Sequence, residues 1–215
     1  MRHGVRRWLL ACALGPALLT AAAATEPATP GLDEPQGVAE VLTNQLGPLT
    51  RARSRGALEP AKVYFRGKSV RIEFADRDGK AFAMLLPETG QVGWLMDDAS
   101  AMPLPNSGLP VVFDGEAPCG SGMLAQCART GTGQQAGRDA VHWRYRLPNP
   151  TGPGRTSRGT MWLDAETGVV LAYEGEAGVG PARQWRTLSV DYQPVPDSMF
   201  EVPEDRLRAE PTLRR

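Results

Sequence analysis

Histidine is scarce in this 215-residue sequence, which has only two. His142 is the only one beyond residue 24, and its place beside Arg144 on an alternating segment is typical of an exposed strand residue. The sequence also has no G-x-S-x-G, no phosphate-binding glycine loop and no H-E-x-x-H. These absences argue against the common hydrolase, nucleotide-binding and zinc-protease mechanisms. We therefore predict a non-enzymatic protein with no catalytic residue and no cofactor.

Net charge is also absent, because 24 basic residues balance 24 acidic ones. Arg2, Arg6 and Arg7 lie within the first 24 residues, which contain no acid. The remaining chain therefore has 24 − 3 = 21 basic and 24 acidic residues, a formal charge of −3. Such a chain has no basic field that would attract nucleic acid, so no nucleic-acid partner is predicted.

The chain lacks a long, strongly apolar run of the roughly 20 residues that a membrane-spanning helix needs. Its apolar stretch Trp8–Ala24 follows three arginines and ends in small residues, with Ala22 and Ala24 suited to a peptidase. This pattern predicts a signal peptide over 1–24 and export to the periplasm, with a retained anchor as the alternative. Too few apolar residues precede Cys12 for a lipid anchor there to be expected.

Cysteine is rare as well, and only Cys119 and Cys127 follow the predicted signal peptide. In an oxidising compartment an even pair predicts a disulfide. A metal site is the alternative, with His142 as the remaining candidate ligand, but the three residues lack ligand spacing. We therefore predict a disulfide and no metal site.

Composition divides the exported chain into three parts. Residues 25–36 are rich in Pro, Thr and acids and predict a flexible lead-in, 37–203 form a single domain, and 204–215 are a charged tail. One short amphipathic helix, packed on a sheet or acting as a lid, is predicted from a stripe of apolar residues at Val38, Val41, Leu42, Leu46 and Leu49.

Most of the domain has a period of two, in which apolar and polar residues alternate as in strands with one apolar face. Turn sequences with glycine separate these runs at 76–79, 87–90 and 164–168. We predict a mainly β fold, an antiparallel meander of about nine to eleven strands. The segments 99–122 and 148–158 are too rich in Pro and Gly to be strands, and such long loops are typical of portals or partner surfaces.

The apolar strand faces are rich in aromatic residues and methionine. Such residues fill ordinary cores, but they also suit a partly covered face that accepts an acyl chain, because methionine repacks around different shapes. The ligand-lining candidates are Val70, Ile72, Phe74, Phe82, Met84, Trp94, Met96, Trp143, Tyr145, Met161 and Leu163.

A late segment, PDSMFEVPED at Pro196–Asp205, carries apolar residues close to the chain end. Its prolines cannot donate to a central ladder, so pairing should stop or move to an edge. Phe200 and Val202 alternate with Met199 and Glu201, which predicts a brief last strand that places Phe200 under the rim of the sheet.

Four segments occur in the same order as in a known group of proteins. YFRGKSVRIEF at Tyr64–Phe74, GRDAVHWRYR at Gly137–Arg146, MWLDAETGVVLAYE at Met161–Glu174 and the late PDSMFEVPED together resemble the LolA/LppX-like superfamily of exported proteins. The likeness is nearest to its uncharacterised bacterial envelope proteins. It implies a curved antiparallel half-barrel with an apolar concave face and one or few N-terminal or capping helices.

Two functions are compatible with this resemblance. The first is a periplasmic protein that binds an apolar ligand, a lipid or a lipoprotein acyl chain, on a concave β-sheet. The second is an envelope interaction or sensor module with a closed core, whose loops contact a protein partner.

Overall fold

The structure, a computed structural model, describes residues 34–46, 56–88, 92–104, 109–120, 122, 124–178 and 180–207. These residues belong to one compact unit, Leu32–Arg215. Within them, no helix is long and apolar enough to cross a membrane. The predicted signal peptide, with Cys12, and most of the predicted lead-in lie outside the described residues.

Eleven strands form one open, curled antiparallel sheet in the described part of the chain, in the order β6-β5-β4-β3-β2-β1-β11-β10-β9-β8-β7. This confirms the predicted fold class. The strands are β1 Gln36–Thr43, β2 Glu59–Arg66, β3 Ser69–Ala75, β4 Ala81–Leu86, β5 Gly93–Met96, β6 Ala101–Leu104, β7 Gln126–Gln135, β8 Arg138–Arg146, β9 Arg158–Asp164, β10 Val170–Glu176 and β11 Arg183–Asp191.

Short helical turns complete the described elements. A 3₁₀ turn at Pro153–Arg155 precedes β9, another at Asp197–Phe200 follows β11, and the four-residue helix α1 occupies Glu204–Leu207. Chain direction alternates from β1 to β6 and from β7 to β11, and β1 lies beside β11. The first and last strands therefore join two halves of one sheet.

The predicted amphipathic helix near Val38 is wrong, because Gln36–Thr43 is a central strand with neighbours on both sides. Its inward residues are small or β-branched: Ala39, Val41 and Thr43 are buried, whereas Glu40 is exposed. Ladders to both β2 and β11 satisfy the backbone groups of this segment, and this pairing outweighs a local stripe of helical spacing. Leu46 is buried just after the strand, and Leu49 lies outside the described residues.

The predicted loop over 99–122 is wrong in part, because β6 lies within it. Pro103 is tolerated there because β6 is an edge strand and needs a ladder on one side only. The connection onward to β7 bonds to the β9–β10 turn, where the Phe113 N–H donates to the Gly168 carbonyl at 3.0 Å and the Val170 N–H donates to Val111 at 2.8 Å. Gly168 has φ +70°, and a Cβ there would lie 2.0 Å from the Phe113 carbonyl oxygen.

The longest strand, β7, was not predicted. Nearly all of its residues are exposed, so it lacks the alternation that reveals a half-buried strand. As predicted, Cys119 and Cys127 form a disulfide, with their Cα atoms 5.9 Å apart. This bond ties the start of β7 to the preceding loop.

The predicted last strand is also wrong, because Asp197–Phe200 forms a 3₁₀ turn. The Met199 N–H donates to the Pro196 carbonyl at 3.0 Å, a local bond that no ladder replaces. Phe200 and Val202 nevertheless pack on the sheet, against Leu85 and its neighbours. The segment docks as expected, but on the side of the sheet opposite the main core.

Candidate functional site

Cross-strand pairing shows which side chains share a face of the sheet. The main apolar cluster draws on both halves of the sheet and includes Phe65, Ile72, Trp143, Met161 and Trp185. We call the side that carries this cluster the inner face, and the opposite side the outer face. On the outer face, Ala83, Leu85 and Met96 form a second cluster, covered by Phe200 and Val202.

Nine of the eleven predicted ligand-lining residues belong to or pack against the inner cluster. The other two, Trp94 and Met96, lie on the outer face because β5 pairs with β4 in a register that matches Met84 with Leu95. Leu95 is therefore the inner residue of β5, and sequence reasoning missed it. The alternation of β4 would have predicted it only if the register between the two strands had been known.

The inner face is not equally covered along its width. One row of paired residues crosses six strands, from Met102 on β6 through Leu95, Met84, Ile72 and Val63 to Ala39 on β1. Met102 is 54% exposed, Leu95 and Met84 are half-buried, and Ile72 is 1% exposed. The face thus opens towards β6. We call this opening the apolar rim, formed by Phe82, Met84, Leu86, Leu95 and Met102.

The other side of the inner face is closed and has aromatic residues. A second row joins Trp143 on β8 to Met161, Tyr173 and Trp185 on the following strands. Its side chains are 1% to 9% exposed, and the rings of Tyr173 and Trp185 stack with centroids 6.3 Å apart. The Trp185 Nε1 donates to Thr187 Oγ1 at 3.2 Å, whereas the buried Trp143 Nε1 has no hydrogen-bond partner within the described structure.

A buried carboxylate holds this closed side together. Asp164, at the end of β9, is 1% exposed and accepts from Arg138 Nε at 2.8 Å and from Tyr192 Oη at 2.9 Å. It also accepts the N–H groups of Glu166 and Thr167 in the predicted β9–β10 turn. Burial alone would raise the pKa of Asp164, but these hydrogen bonds lower it below its ordinary value. The group acts as a structural anchor.

His142, considered above as a candidate metal ligand, lies on the outer face. Its ring stacks on Trp162 with centroids 4.4 Å apart, and Nδ1 lies 2.8 Å from Thr130 Oγ1. Burial and the nearby Arg144 lower its pKa. Across the described residues, no group of three or more His, Cys, Asp or Glu side chains could hold a metal ion.

The outer face also carries a shallow groove of about 400 Å³ above β8, β9 and β10. Arg144 and Arg146 line it, together with Glu174 and with Arg158 and Glu176, whose Nε and Oε2 atoms are 2.9 Å apart. Charges of both signs alternate here, so the groove has no single-sign field for a charged ligand.

No family model matches the chain, and no curated protein matches it. Solved structures do match. They include a LolA superfamily protein from Nitrosomonas europaea, at 9% identity and a TM-score of 0.38, over 80% of this chain and 92% of the other. Its superfamily is the one that the sequence resembles.

Two further structures are similar. An uncharacterised conserved protein from Thermus thermophilus matches at 10% identity and a TM-score of 0.48, over 81% of this chain and 89% of the other. MucB in the MucA/MucB complex of Pseudomonas aeruginosa matches at 14% identity and a TM-score of 0.38, over 79% of this chain. The chain spans only 56% of the length of that structure.

Proposed function

We propose that this protein is exported to the periplasm and binds an apolar ligand, a lipid or a lipoprotein acyl chain, at the apolar rim of its inner face. The observation that carries the proposal is the row from Met102 to Ile72. Along it, apolar side chains pass from 54% exposure to 1% with no polar residue between them. A ligand lying on this row covers apolar surface that water otherwise contacts.

The chemistry of the rim suits a flexible chain. Met84 and Met102 have unbranched side chains that repack around different shapes, and Phe82 presents a flat ring stacked on Phe74, with centroids 5.8 Å apart. Each square ångström of apolar surface that a ligand covers contributes about 25 cal/mol before the cost of association is subtracted. The deeper predicted residues, such as Val70 and Leu163, are fully buried and form the packed base beneath the ligand.

The experiment is lipid extraction and native mass spectrometry of protein purified from its own host, followed by calorimetry with hexadecanol as a defined probe. We expect copurified lipid and saturable hexadecanol binding. Met102→Lys should abolish or strongly weaken hexadecanol binding. Leu188→Lys is the matched control, because Leu188 on β11 is also exposed, at 51%, but lies outside the rim. Equal loss in both variants, or no binding by the unaltered protein, would contradict the proposal.

A second candidate is the envelope interaction or sensor module. The near-complete burial of the inner face away from the rim favours it, as does the length of β7, a ten-residue edge strand that pairs only with β8 among the described strands. Exposed edges can accept an added strand from a partner. Cross-linking in cells from cysteines placed on β7 should then capture one specific protein, and recovery of lipid without any protein would count against this candidate.

A further inference from the structure

The two buried tryptophans of the inner face differ in one respect. Trp143 and Trp185 lie in the same cross-strand row and are 9% and 5% exposed. The indole N–H of Trp185 has a hydroxyl acceptor, whereas that of Trp143 has no acceptor in the described structure. A buried donor without an acceptor costs free energy, and native proteins rarely retain one without a reason. The buried Trp143 N–H without an acceptor therefore needs an explanation.

Directly across from Trp143, on the edge strand β7, lies Arg129. The next matched pair on the same face, Cys127 and Tyr145, packs against the inner cluster, so the side chain of Arg129 belongs to the inner side of the edge. The Arg129 side chain is exposed and forms no ion pair or hydrogen bond with any described residue. Side chains paired across antiparallel strands have Cβ atoms about 5 Å apart. The residues that carry this unpaired cation and this unpaired N–H donor are therefore cross-strand neighbours.

Both groups donate hydrogen bonds, and neither can accept one. A hydrocarbon chain or an alcohol would leave the guanidinium without a charged partner, whereas an oxyanion accepts from both donors at once. The disulfide at Cys127 holds the adjoining part of the edge strand to the preceding loop. Arg129 therefore lies on a covalently restrained edge strand rather than on a free loop.

We propose that Arg129 and the Trp143 Nε1 bind the oxyanion head group, a carboxylate or phosphate, of a single-chain amphiphile whose tail lies on the inner face. The inference rests on the function proposed above and specifies the class of ligand. A head group entering past Arg129 meets Trp143 one strand further in.

Calorimetry with the exported chain and four probes tests the assignment: palmitate, hexadecyl phosphate, hexadecanol and inorganic phosphate. Trp143→Phe keeps a six-membered aromatic ring and removes the N–H donor together with part of the indole. Arg129→Gln removes the charge at an exposed site and so leaves the core intact. Each should weaken binding of palmitate and hexadecyl phosphate about tenfold, the scale of a hydrogen bond to a charged group, and leave hexadecanol binding unchanged. Arg144→Gln, an exposed unpaired arginine on the outer face of β8, is the control and should change nothing.

A thermal measurement without ligand separates a binding role from a structural one. Trp143→Phe and Trp185→Phe both remove part of a buried ring and should lower the Tm. Trp143→Phe should lower it less, because only Trp185→Phe also loses a hydrogen bond. A Tm loss for Trp143→Phe as large as that for Trp185→Phe, with no change in palmitate binding for Arg129→Gln, would overturn the assignment.

The remaining outcomes also decide the question. Hexadecanol binding with no preference for palmitate or hexadecyl phosphate would overturn the head-group site and leave the proposed function standing. Binding of inorganic phosphate as tight as that of hexadecyl phosphate would show a free-anion site and contradict the amphiphile. If no long-chain probe binds at all, both proposals fail.

Discussion

The two edges of the sheet are built differently. The β6 edge has four residues, AMPL, and the chain near it is held by apolar packing of Phe200 and Val202 on the outer face. The β7 edge has ten largely polar, exposed residues and is held by a disulfide, and the neighbouring strand β8 is held to β9 by the ion pair between Arg138 and Asp164. Both solutions protect an exposed strand, one by shortness and proline, the other by covalent and ionic restraint.

This difference shows how one curled sheet can present two chemistries at the borders of a single apolar face. Beside β6 the inner face continues outward as apolar side chains, ending at the exposed Met102. Beside β7 it ends at a buried indole and a cation, Trp143 and Arg129. The edges should therefore respond to different perturbations, and the following predictions separate them.

The largest expected effect is on the β7 side, at the buried ion pair. Asp164→Ala leaves the Arg138 guanidinium without its main partner and removes acceptors from Tyr192 and the β9–β10 turn. We expect a loss of about 3–5 kcal/mol in the free energy of unfolding. Denaturant titration measures it. Glu166→Ala, which removes the exposed partner of the same arginine, is the control and should cost less than about 1 kcal/mol.

The disulfide should come next. Reduction, or Cys119→Ser with Cys127→Ser, restores loop entropy to the unfolded chain and should lower the free energy of unfolding by about 2–3 kcal/mol. Hydrogen exchange should show that the loss of amide protection is concentrated in β7 and not in β6. An equal increase in exchange at both edges would mean that the two edges do not behave independently. Two free thiols in the intact mass without reductant would contradict the disulfide itself.

A smaller effect is expected on the β6 side. The sequence alone predicts about 3 kcal/mol for Phe200→Ala, the scale of an emptied, fully buried aromatic site. Phe200 is half-buried, with the Arg66 guanidinium 5.0 Å from its ring centroid, so we now expect about 1–2 kcal/mol. Thermal melting measures it, and Leu207→Ala, an exposed residue of α1, is the control. An unchanged Tm would show that the C-terminal segment does not hold the β5–β6 end.

Acid should destabilise the fold by protonating carboxyl groups whose pKa is lowered in the folded state. Because the pKa of Asp164 is lower in the folded state than its ordinary value near 4, its carboxylate stabilises the fold above that value, and this contribution is lost as the pH falls through the lowered pKa. The Lys80 ammonium also holds the pKa of Asp97 well below its usual range, so the contribution of Asp97 to stability is lost in acid in the same way. Asp164→Asn should therefore flatten, but not remove, the fall in unfolding free energy between about pH 5 and pH 2. An unchanged slope would contradict the pKa assignment.

Sequence reasoning succeeded for strands in which apolar residues alternate along the chain. It located β3 and β8 because their apolar residues mostly alternate with polar ones, and β4 because large residues alternate with Ala83 and Leu85. It missed β7 because a strand exposed on both faces has no such pattern. It assigned β1 to a helix because a central strand draws its stability from partners distant in sequence, which a local window does not contain.

For the same reason, the sequence predicted only part of the candidate site. The sequence indicated that Met84 and Trp94 are large apolar residues on neighbouring strands, but their faces depend on a register that a shift of one residue would reverse. Arg129 and Trp143 are 14 positions apart in the sequence and carry no motif. Only their pairing across the β7–β8 hairpin makes a cation and an indole N–H neighbours.

The sequence by itself determined the antiparallel β architecture, the turns at Asp76–Gly79 and Asp164–Gly168, and the cysteine pair, because alternation, turn residues and paired cysteines are local properties. The tertiary structure decided which residues meet. It made the first strand the centre of the sheet, placed Trp94 and Met96 on the outer face with Phe200, and left one edge apolar and the other polar. These outcomes depend on register and on ladders between distant segments, whose free energy exists only when the whole sheet has formed.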